Sequence, residues 1–250
     1  MATPISEGTL LWEPSEAVKQ HSNMLRYMHW LEREKGLRFD TPDELWHWSV
    51  DNLEEFWASM WDYFQIKASR PYQSVLSDHA MPGAQWFSGA ELNYAEHVFR
   101  NRTNARPALI FQSETQPLTE LSWDDLYQQV CTLAAALRTM GVQRGDRVVS
   151  NIPNIPQAAV AFLASASLGA VWSSCSPDFG TRSVIDRFQQ IEPKVLFAVD
   201  GYQYAGKTVD RRAIIAELQE ALPTLQHTVI VPYAFNDTSA ASYREAVLWT

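Results

Sequence analysis

The chain has 250 residues, of which 46% are hydrophobic and 12% aromatic, a composition that excludes a disordered or fibrous protein and predicts one or two globular domains. Twenty basic against twenty-nine acidic residues give a formal net charge of −9, which argues against nucleic acid and anionic membranes as partners. Two cysteines, Cys131 and Cys175, and no apolar leader after Met1 predict a reducing, cytoplasmic location.

The first part of the chain, residues 1–100, is predicted to be a helical N-terminal segment that packs on the main domain. A capping serine opens an apolar pattern that predicts one helix over 15–36. A Thr-Pro-x-Glu start at 41–44 predicts a second helix. Apolar residues three and four positions apart form a stripe over 53–64, which we interpret as a core or docking face of a third helix.

The second part, residues 101–250, is predicted to be an α/β subdomain, because apolar strand-like runs alternate with helical patterns. Strands are predicted at 108–112, 118–121, 147–151, 170–174, 194–199 and 227–231, and helices at 123–140, 156–168 and around 184–191 and 214–222. The first two strands read as a hairpin at the sheet edge. This alternation predicts a mostly parallel sheet covered by helices, with ligands beyond the carboxyl ends of its strands.

One uncharged stretch runs from Val148 to Pro177 and resembles a membrane span only in its lack of charge. Its most apolar part, 158–172, is shorter than the ~20 residues that a span needs. Two prolines interrupt the part before it. We therefore interpret the stretch as a buried helix between buried strands.

The segment Gly201–Thr208 matches the pattern Gly-x4-Gly-Lys-Thr, follows an apolar strand and precedes a predicted helix. Glycines there would turn backbone amides toward an anion, the helix N-terminus would add positive potential and Lys207 a charge. Three interpretations remain open: a phosphate-contacting loop, the loop of a P-loop NTPase, or an ordinary connection. Against the NTPase, the strand at 227–231 runs into Pro232 without a carboxylate for Mg²⁺.

Metal-ligating and nucleophilic patterns are weak in this sequence. Six histidines show no ligand spacing with one another or with the cysteines, so no metal site is predicted. Cys175 has no histidine nearby in sequence and is interpreted as a buried structural thiol rather than a nucleophile.

Several segments together resemble the adenylate-forming acyl-CoA synthetases. The first group of matching segments is Arg144–Val148, Pro153–Ala158 and Leu168–Val171. Two further segments resemble the branch of that family that activates acetoacetate, namely Trp172–Gly180 followed by Asp186–Phe188, and Trp86–Ala95. The resemblance covers nearly the whole chain, and its combined pattern is specific.

The resemblance implies that the enzyme converts acetoacetate, ATP and Mg²⁺ to an acyl-adenylate and pyrophosphate, and then transfers the acyl group to CoA. It also implies that the loop of Tyr204, Ala205, Gly206 and Lys207 contacts CoA, with Lys207 pairing with a phosphate and Tyr204 offering a packing surface. Acetyl-CoA synthetases carry arginine at the positions of Tyr204 and Lys207, so this contact is expected to differ from theirs.

The resemblance further implies that the catalytic residues lie beyond Thr250. No catalytic residue is therefore predicted within the chain, which we expect to be an N-terminal piece without isolated activity. Three alternatives stay open: an acetyl- or propionyl-type synthetase, a P-loop NTPase using Gly201–Thr208, and a non-catalytic interaction module that docks a partner on the helix over 53–64.

Overall fold

The structure is a computed structural model that describes residues 6–250. The chain divides into two compact units, Met1–Leu92 and Asn93–Thr250. The first unit contains the helices α1 (Glu16–Gln20), α2 (Asn23–Lys35), α3 (Pro42–Asp51) and α4 (Leu53–Tyr63), and the strands β1 (Ser74–Leu76) and β2 (Trp86–Ser88).

The prediction of one helix over 15–36 is wrong, because the chain breaks between α1 and α2. The Ser15 hydroxyl caps α1 by accepting from the Val18 amide at 3.4 Å, and the Ser22 hydroxyl caps α2 by accepting from the Leu25 amide at 3.1 Å. The apolar pattern continues through this point and did not reveal the break. The second capping serine, Ser22, marks the start of a separate helix. Gly36 ends α2 in the left-handed conformation, as its position predicted.

An aromatic cluster forms the core of the first unit. Tyr27 is buried and its hydroxyl lies 2.5 Å from that of Ser59 on α4. The predicted apolar stripe of α4 is divided: Phe56 packs on this core, whereas Trp57 and Phe64 remain 40% and 49% exposed. The antiparallel pair of β1 and β2 was not predicted, because its strands are only three residues long.

The second unit contains the predicted α/β fold. Its helices are α5 (Tyr94–Phe99), α6 (Trp123–Thr139), α7 (Pro156–Ser167), α8 (Thr181–Gln189) and α9 (Arg212–Ala221). Its strands are β3 (Leu109–Phe111), β4 (Thr119–Leu121), β5 (Arg147–Asn151), β6 (Val171–Ser174), β7 (Val195–Val199), β8 (Gly201–Tyr204), β9 (Lys207–Asp210), β10 (His227–Val231) and β11 (Ala246–Leu248). The sequence placed the segment of α5 before residue 100, and the structure places it with this unit.

The main sheet of this unit has five parallel strands in the order β6-β5-β7-β10-β11. Successive residues point to opposite faces, so Val148 joins the core under α6 and α7 while Val149 joins the core under α8 and α9. The prediction of a parallel sheet covered by helices is confirmed. The edge strand β11 was not predicted.

The hairpin of β3 and β4 is antiparallel, as predicted. The prediction that it lies at the edge of the main sheet is wrong. The two strands form a separate two-stranded sheet. A pattern of apolar residues indicates a strand but not which strand it pairs with. The sequence could therefore not show whether the hairpin joins the main sheet.

Candidate functional site

The carboxyl edge of the main sheet contains the point at which the strand order reverses. From β5 the chain moves outward to β6 and then crosses to β7 on the other side of β5. The helices that make these two crossovers, α7 and α8, lie on opposite faces of the sheet. Open α/β sheets bind ligands at such a point.

Asn151, the last residue of β5, ties this edge together and is 3% exposed. Its side-chain Nδ2 donates to the carbonyl oxygens of Cys175 at 3.2 Å and Ser176 at 3.3 Å. Its Oδ1 lies 3.5 Å from Nη2 of Arg211, which precedes α9. Asn151 therefore fixes the loop after β6 against the end of β5.

Asp200 follows β7 directly and is fully buried. Its carboxylate accepts hydrogen bonds from the amides of Tyr233 at 2.9 Å, Ala234 at 2.9 Å and Phe235 at 3.1 Å, and from the Thr238 hydroxyl at 2.5 Å. A buried carboxylate is stable only when such donors replace water. Asp200 thus holds the loop after β10 in one conformation.

The segment Gly201–Thr208 forms an antiparallel hairpin, and this contradicts part of the sequence interpretation. Tyr204 pairs with Lys207 across β8 and β9, and the turn residues Ala205 and Gly206 have φ values of 49° and 74°. The helix α9 begins only at Arg212, after β9. The predicted phosphate cradle at a helix N-terminus is therefore wrong, and the P-loop NTPase loses its structural basis.

The two turn amides already have an anionic partner within the chain. The Glu114 carboxylate accepts from the Ala205 amide through Oε1 and from the Gly206 amide through Oε2, each at 2.8 Å. In this arrangement, backbone groups of the turn are not available to a phosphate. The charge and the ring that the turn can offer to a ligand from solvent come from the side chains beside it.

Those side chains, Tyr204 and Lys207, are exposed. Tyr204 is 70% exposed, and Lys207 forms no ion pair with any residue of the described range 6–250. Because they are directly opposite each other in the hairpin register, the phenol ring and the ammonium group are cross-strand neighbours. An aromatic surface beside a cation suits an anionic ligand with an aromatic part.

The base of the hairpin is fixed to α9 by charge. Arg212 donates to the Asp210 carboxylate at 2.6 Å and lies 4.2 Å above the ring of Phe235. The hydrogen bond from Arg212 lowers the pKa of Asp210, so this carboxylate remains ionised. Arg212 therefore links the hairpin to the loop that Asp200 holds.

A cavity of about 360 Å³ opens between α7 and the ends of β5 and β6. It is lined mainly by Ser150, Asn154, Phe162, Trp172, Ser174 and Cys175. The Ser150 hydroxyl is buried and has no hydrogen-bond partner among residues 6–250. The cavity thus presents neutral polar groups and aromatic rings rather than charges.

Cys175 is 5% exposed, which confirms its interpretation as a buried thiol. In the part of the chain that the structure describes, no three His, Cys, Asp or Glu side chains are grouped so that they could hold a metal ion. Nor does any helix of those residues have the length and apolarity needed to cross a bilayer.

Sequence reasoning missed three residues that shape this edge: Asn151, Asp200 and Glu114. A polar residue at the end of an apolar strand, as with Asn151, or directly after one, as with Asp200, was a usable signal, because such residues lie at the ligand-facing edge of a parallel sheet. Glu114 gave no signal, since its partners are 91 and 92 positions away in sequence.

Two family models match the chain. Residues 96–247 match the family described as AMP-binding enzyme. Residues 43–98 match the one described as acetyl-coenzyme A synthetase N-terminus.

Several known proteins are similar to this chain over most of its length. An acetoacetyl-CoA synthetase of Rattus norvegicus is 40% identical over 232 residues, which are 92% of this chain and 34% of that protein. An acetoacetyl-coenzyme A synthetase of Rhizobium meliloti is 37% identical over 92% of this chain and 35% of that protein. The solved acetoacetyl-CoA synthetase from Streptomyces lividans matches with a TM-score of 0.90 and 45% identity, over 96% of this chain and 37% of that one. The chain therefore spans about a third of the length of the curated relatives it matches.

Proposed function

Because the chain belongs to the AMP-binding enzyme family, we propose that the protein serves as an ATP-dependent acid–thiol ligase that activates acetoacetate. The observation that carries this proposal is the 37–45% identity to acetoacetyl-CoA synthetases over at least 92% of the chain. Of the alternatives, the acetyl- or propionyl-type synthetase is the nearest, since residues 43–98 match a segment of acetyl-coenzyme A synthetases.

The reaction consists of two substitutions. The acetoacetate carboxylate attacks the α-phosphorus of ATP, and pyrophosphate leaves with the electron pair of the broken P–O bond. The CoA thiolate then attacks the acyl carbonyl, and AMP leaves. Mg²⁺ would neutralise phosphate charge in the first step. The described residues 6–250 offer no grouped metal ligands, so we assign Mg²⁺ to none of them.

We assign the described residues to CoA binding rather than to bond making. Lys207 supplies a positive charge for a CoA phosphate, and Tyr204 offers a ring beside it. This differs from the sequence-based assignment in one respect: the amides of Ala205 and Gly206 donate to Glu114 and not to the ligand. The neutral cavity between α7 and β6 suits an uncharged part of CoA.

Calorimetric titration tests the CoA contact. CoA, 3′-dephospho-CoA and ATP are titrated into the wild-type chain, Lys207→Ala and the control Lys35→Ala, which removes the same charge from the first unit. We expect Lys207→Ala to weaken CoA binding by about tenfold, because one charge-assisted contact is lost. Equal CoA affinity in both variants would refute the contact. Loss of ATP binding in Lys207→Ala alone would favour a nucleotide site instead.

The choice of acid is tested on the protein as its organism produces it. AMP formation is measured with ATP, CoA and either acetoacetate, acetate or propionate. We expect the highest kcat/KM with acetoacetate. An equal or higher value with acetate would replace this proposal by the acetyl-type synthetase.

We also propose a cytoplasmic location. Cys131 and Cys175 are both free thiols, which a reducing compartment maintains. Recovery of the protein with a cytoplasmic marker after cell fractionation is the expected result, and recovery with an extracellular or membrane fraction would contradict it.

A further inference from the structure

The tip of the hairpin is held by a residue from a distant loop. Glu114 lies between β3 and β4, and its two carboxylate oxygens accept from two successive amides, those of Ala205 and Gly206. Its own loop is braced by the Ser113 hydroxyl, which accepts from the amides of Thr115 at 3.3 Å and Gln116 at 3.1 Å. The loop that presents both oxygens to the turn is therefore ordered locally by these two hydrogen bonds.

The turn needs such support because its sequence is unfavourable. Both central residues have positive φ, and two-residue turns of this kind prefer Asn-Gly or Asp-Gly. Here the first position is Ala205, whose Cβ disfavours the left-handed conformation. Two charge-assisted hydrogen bonds to Glu114 stabilise the conformation that Ala205 resists.

We propose that Glu114 is a positioning residue for CoA: it holds the turn in its left-handed form and so presents Tyr204 and Lys207 together. The inference rests on the proposed function, since it specifies how the hairpin meets its ligand. Tyr204 and Lys207 immediately flank the turn, so rearrangement of Ala205 and Gly206 changes the relative position of the ring and the ammonium group. Holding both side chains in advance reduces the entropy lost on binding.

The first experiment tests the contact itself, without ligand. Amide ¹H–¹⁵N resonances of Ala205 and Gly206 are compared in the wild type, Glu114→Gln and the control Glu120→Gln. The control removes the same charge from β4, where the Glu120 side chain is exposed. We expect both resonances to shift in Glu114→Gln only. Unchanged resonances in that variant would overturn the proposal.

The second experiment tests the effect on CoA. We expect Glu114→Gln to weaken CoA binding about fivefold relative to Glu120→Gln, with a smaller effect on 3′-dephospho-CoA. Adding Ala205→Asn, which favours the left-handed turn, should restore the affinity of Glu114→Gln. Stronger binding by Glu114→Gln would overturn the proposal, because it would identify Glu114 as a competitor of phosphate. Failure of Ala205→Asn to restore affinity would also overturn it.

Failure of the proposed function gives a different result. If the wild-type chain binds no CoA while the turn amides shift in Glu114→Gln, the CoA contact and the positioning role are both refuted, and only the structural contact stands. If CoA binds and depends on Lys207 but not on Glu114, the proposed function survives and this inference alone is refuted.

Discussion

Asp146 and Lys194 form an ion pair of 2.9 Å at the amino ends of β5 and β7, the two strands that flank the reversal of strand order. Lys194 Nζ also donates to the Gly141 carbonyl oxygen at 2.6 Å, so this ammonium group makes two contacts at that edge. The pair lies at the edge opposite the candidate site. It therefore stabilises the sheet that positions the site and does not contact a ligand there.

The pair predicts acid-sensitive stability. Burial acts to raise the pKa of Asp146, but hydrogen bonds from Lys194 and the Gln143 amide outweigh it, and the net pKa is lowered. A lowered folded-state pKa contributes stability above the ordinary aspartate range, and this is lost as pH falls through the folded-state value. We expect Asp146→Asn to cost about 1 kcal/mol at pH 7, a difference that shrinks as pH falls below the ordinary aspartate range and is lost once Asp146 is protonated in the folded state.

Urea unfolding of both proteins across this pH range is the measurement. The control is Asp186→Asn, which removes an exposed carboxylate 3.9 Å from Arg182 and should change stability by less than about 0.5 kcal/mol. If the difference in unfolding free energy between wild type and Asp146→Asn were the same at all pH values, the ion pair of Asp146 would not be the source of the acid sensitivity.

Asp200→Asn is predicted to loosen the loop after β10. An amide group places a donor where the carboxylate accepts from the Phe235 amide and the Thr238 hydroxyl. We expect a loss of about 2 to 4 kcal/mol in the free energy of unfolding and faster hydrogen exchange at the amides of Tyr233 and Ala234. Asp237→Asn is the control, because its carboxylate is 81% exposed. Unchanged exchange in Asp200→Asn would show that Asp200 does not hold this loop.

Gly201→Ala is predicted to displace the base of the hairpin. A Cβ at Gly201 would lie 2.7 Å from the Val209 carbonyl oxygen and 2.8 Å from Cε2 of Phe235, closer than packed atoms tolerate. We expect a loss of about 2 to 3 kcal/mol in thermal or urea unfolding. Gly180→Ala meets nothing within 4 Å and should cost less than about 1 kcal/mol. Equal losses of stability in the two variants would show that Gly201 is not closely packed against Val209 and Phe235.

Asn151→Ala is predicted to expose Cys175. Removing the amide releases the carbonyl groups of Cys175 and Ser176, so the loop after β6 should open more often. With a maleimide reagent, we expect the exposed Cys131 to react first in the wild type. In Asn151→Ala the rate at Cys175 should rise about tenfold. Asn154→Ala is the control. An equal increase in the Cys175 reaction rate in Asn154→Ala would show that the hydrogen bonds of Asn151 do not specifically protect Cys175.

The longer elements of the second unit could be predicted from the sequence because capping and hydrophobic spacing act over a few residues. Hydrophobic periodicity predicted α6 and β7, and the Ser122 hydroxyl caps α6 by accepting from the Asp125 amide at 3.0 Å, as its position predicted. The resemblance to the adenylate-forming acyl-CoA synthetases was also recognisable from the sequence alone. It did not predict β11, whose three residues gain their strand conformation only from pairing with β10.

By itself, the sequence determined the long helices and the buried parallel strands of the second unit except β11, and which family the chain resembles, because capping and side-chain spacing act within a few residues. Only the tertiary structure decided that Gly201–Thr208 is a hairpin, because a Gly-x4-Gly-Lys-Thr pattern permits either a turn between strands or a turn into a helix. The contact of Glu114 with the turn was equally beyond sequence reasoning. It joins residues 91 and 92 positions apart, and only the folded chain brings such partners within hydrogen-bond distance.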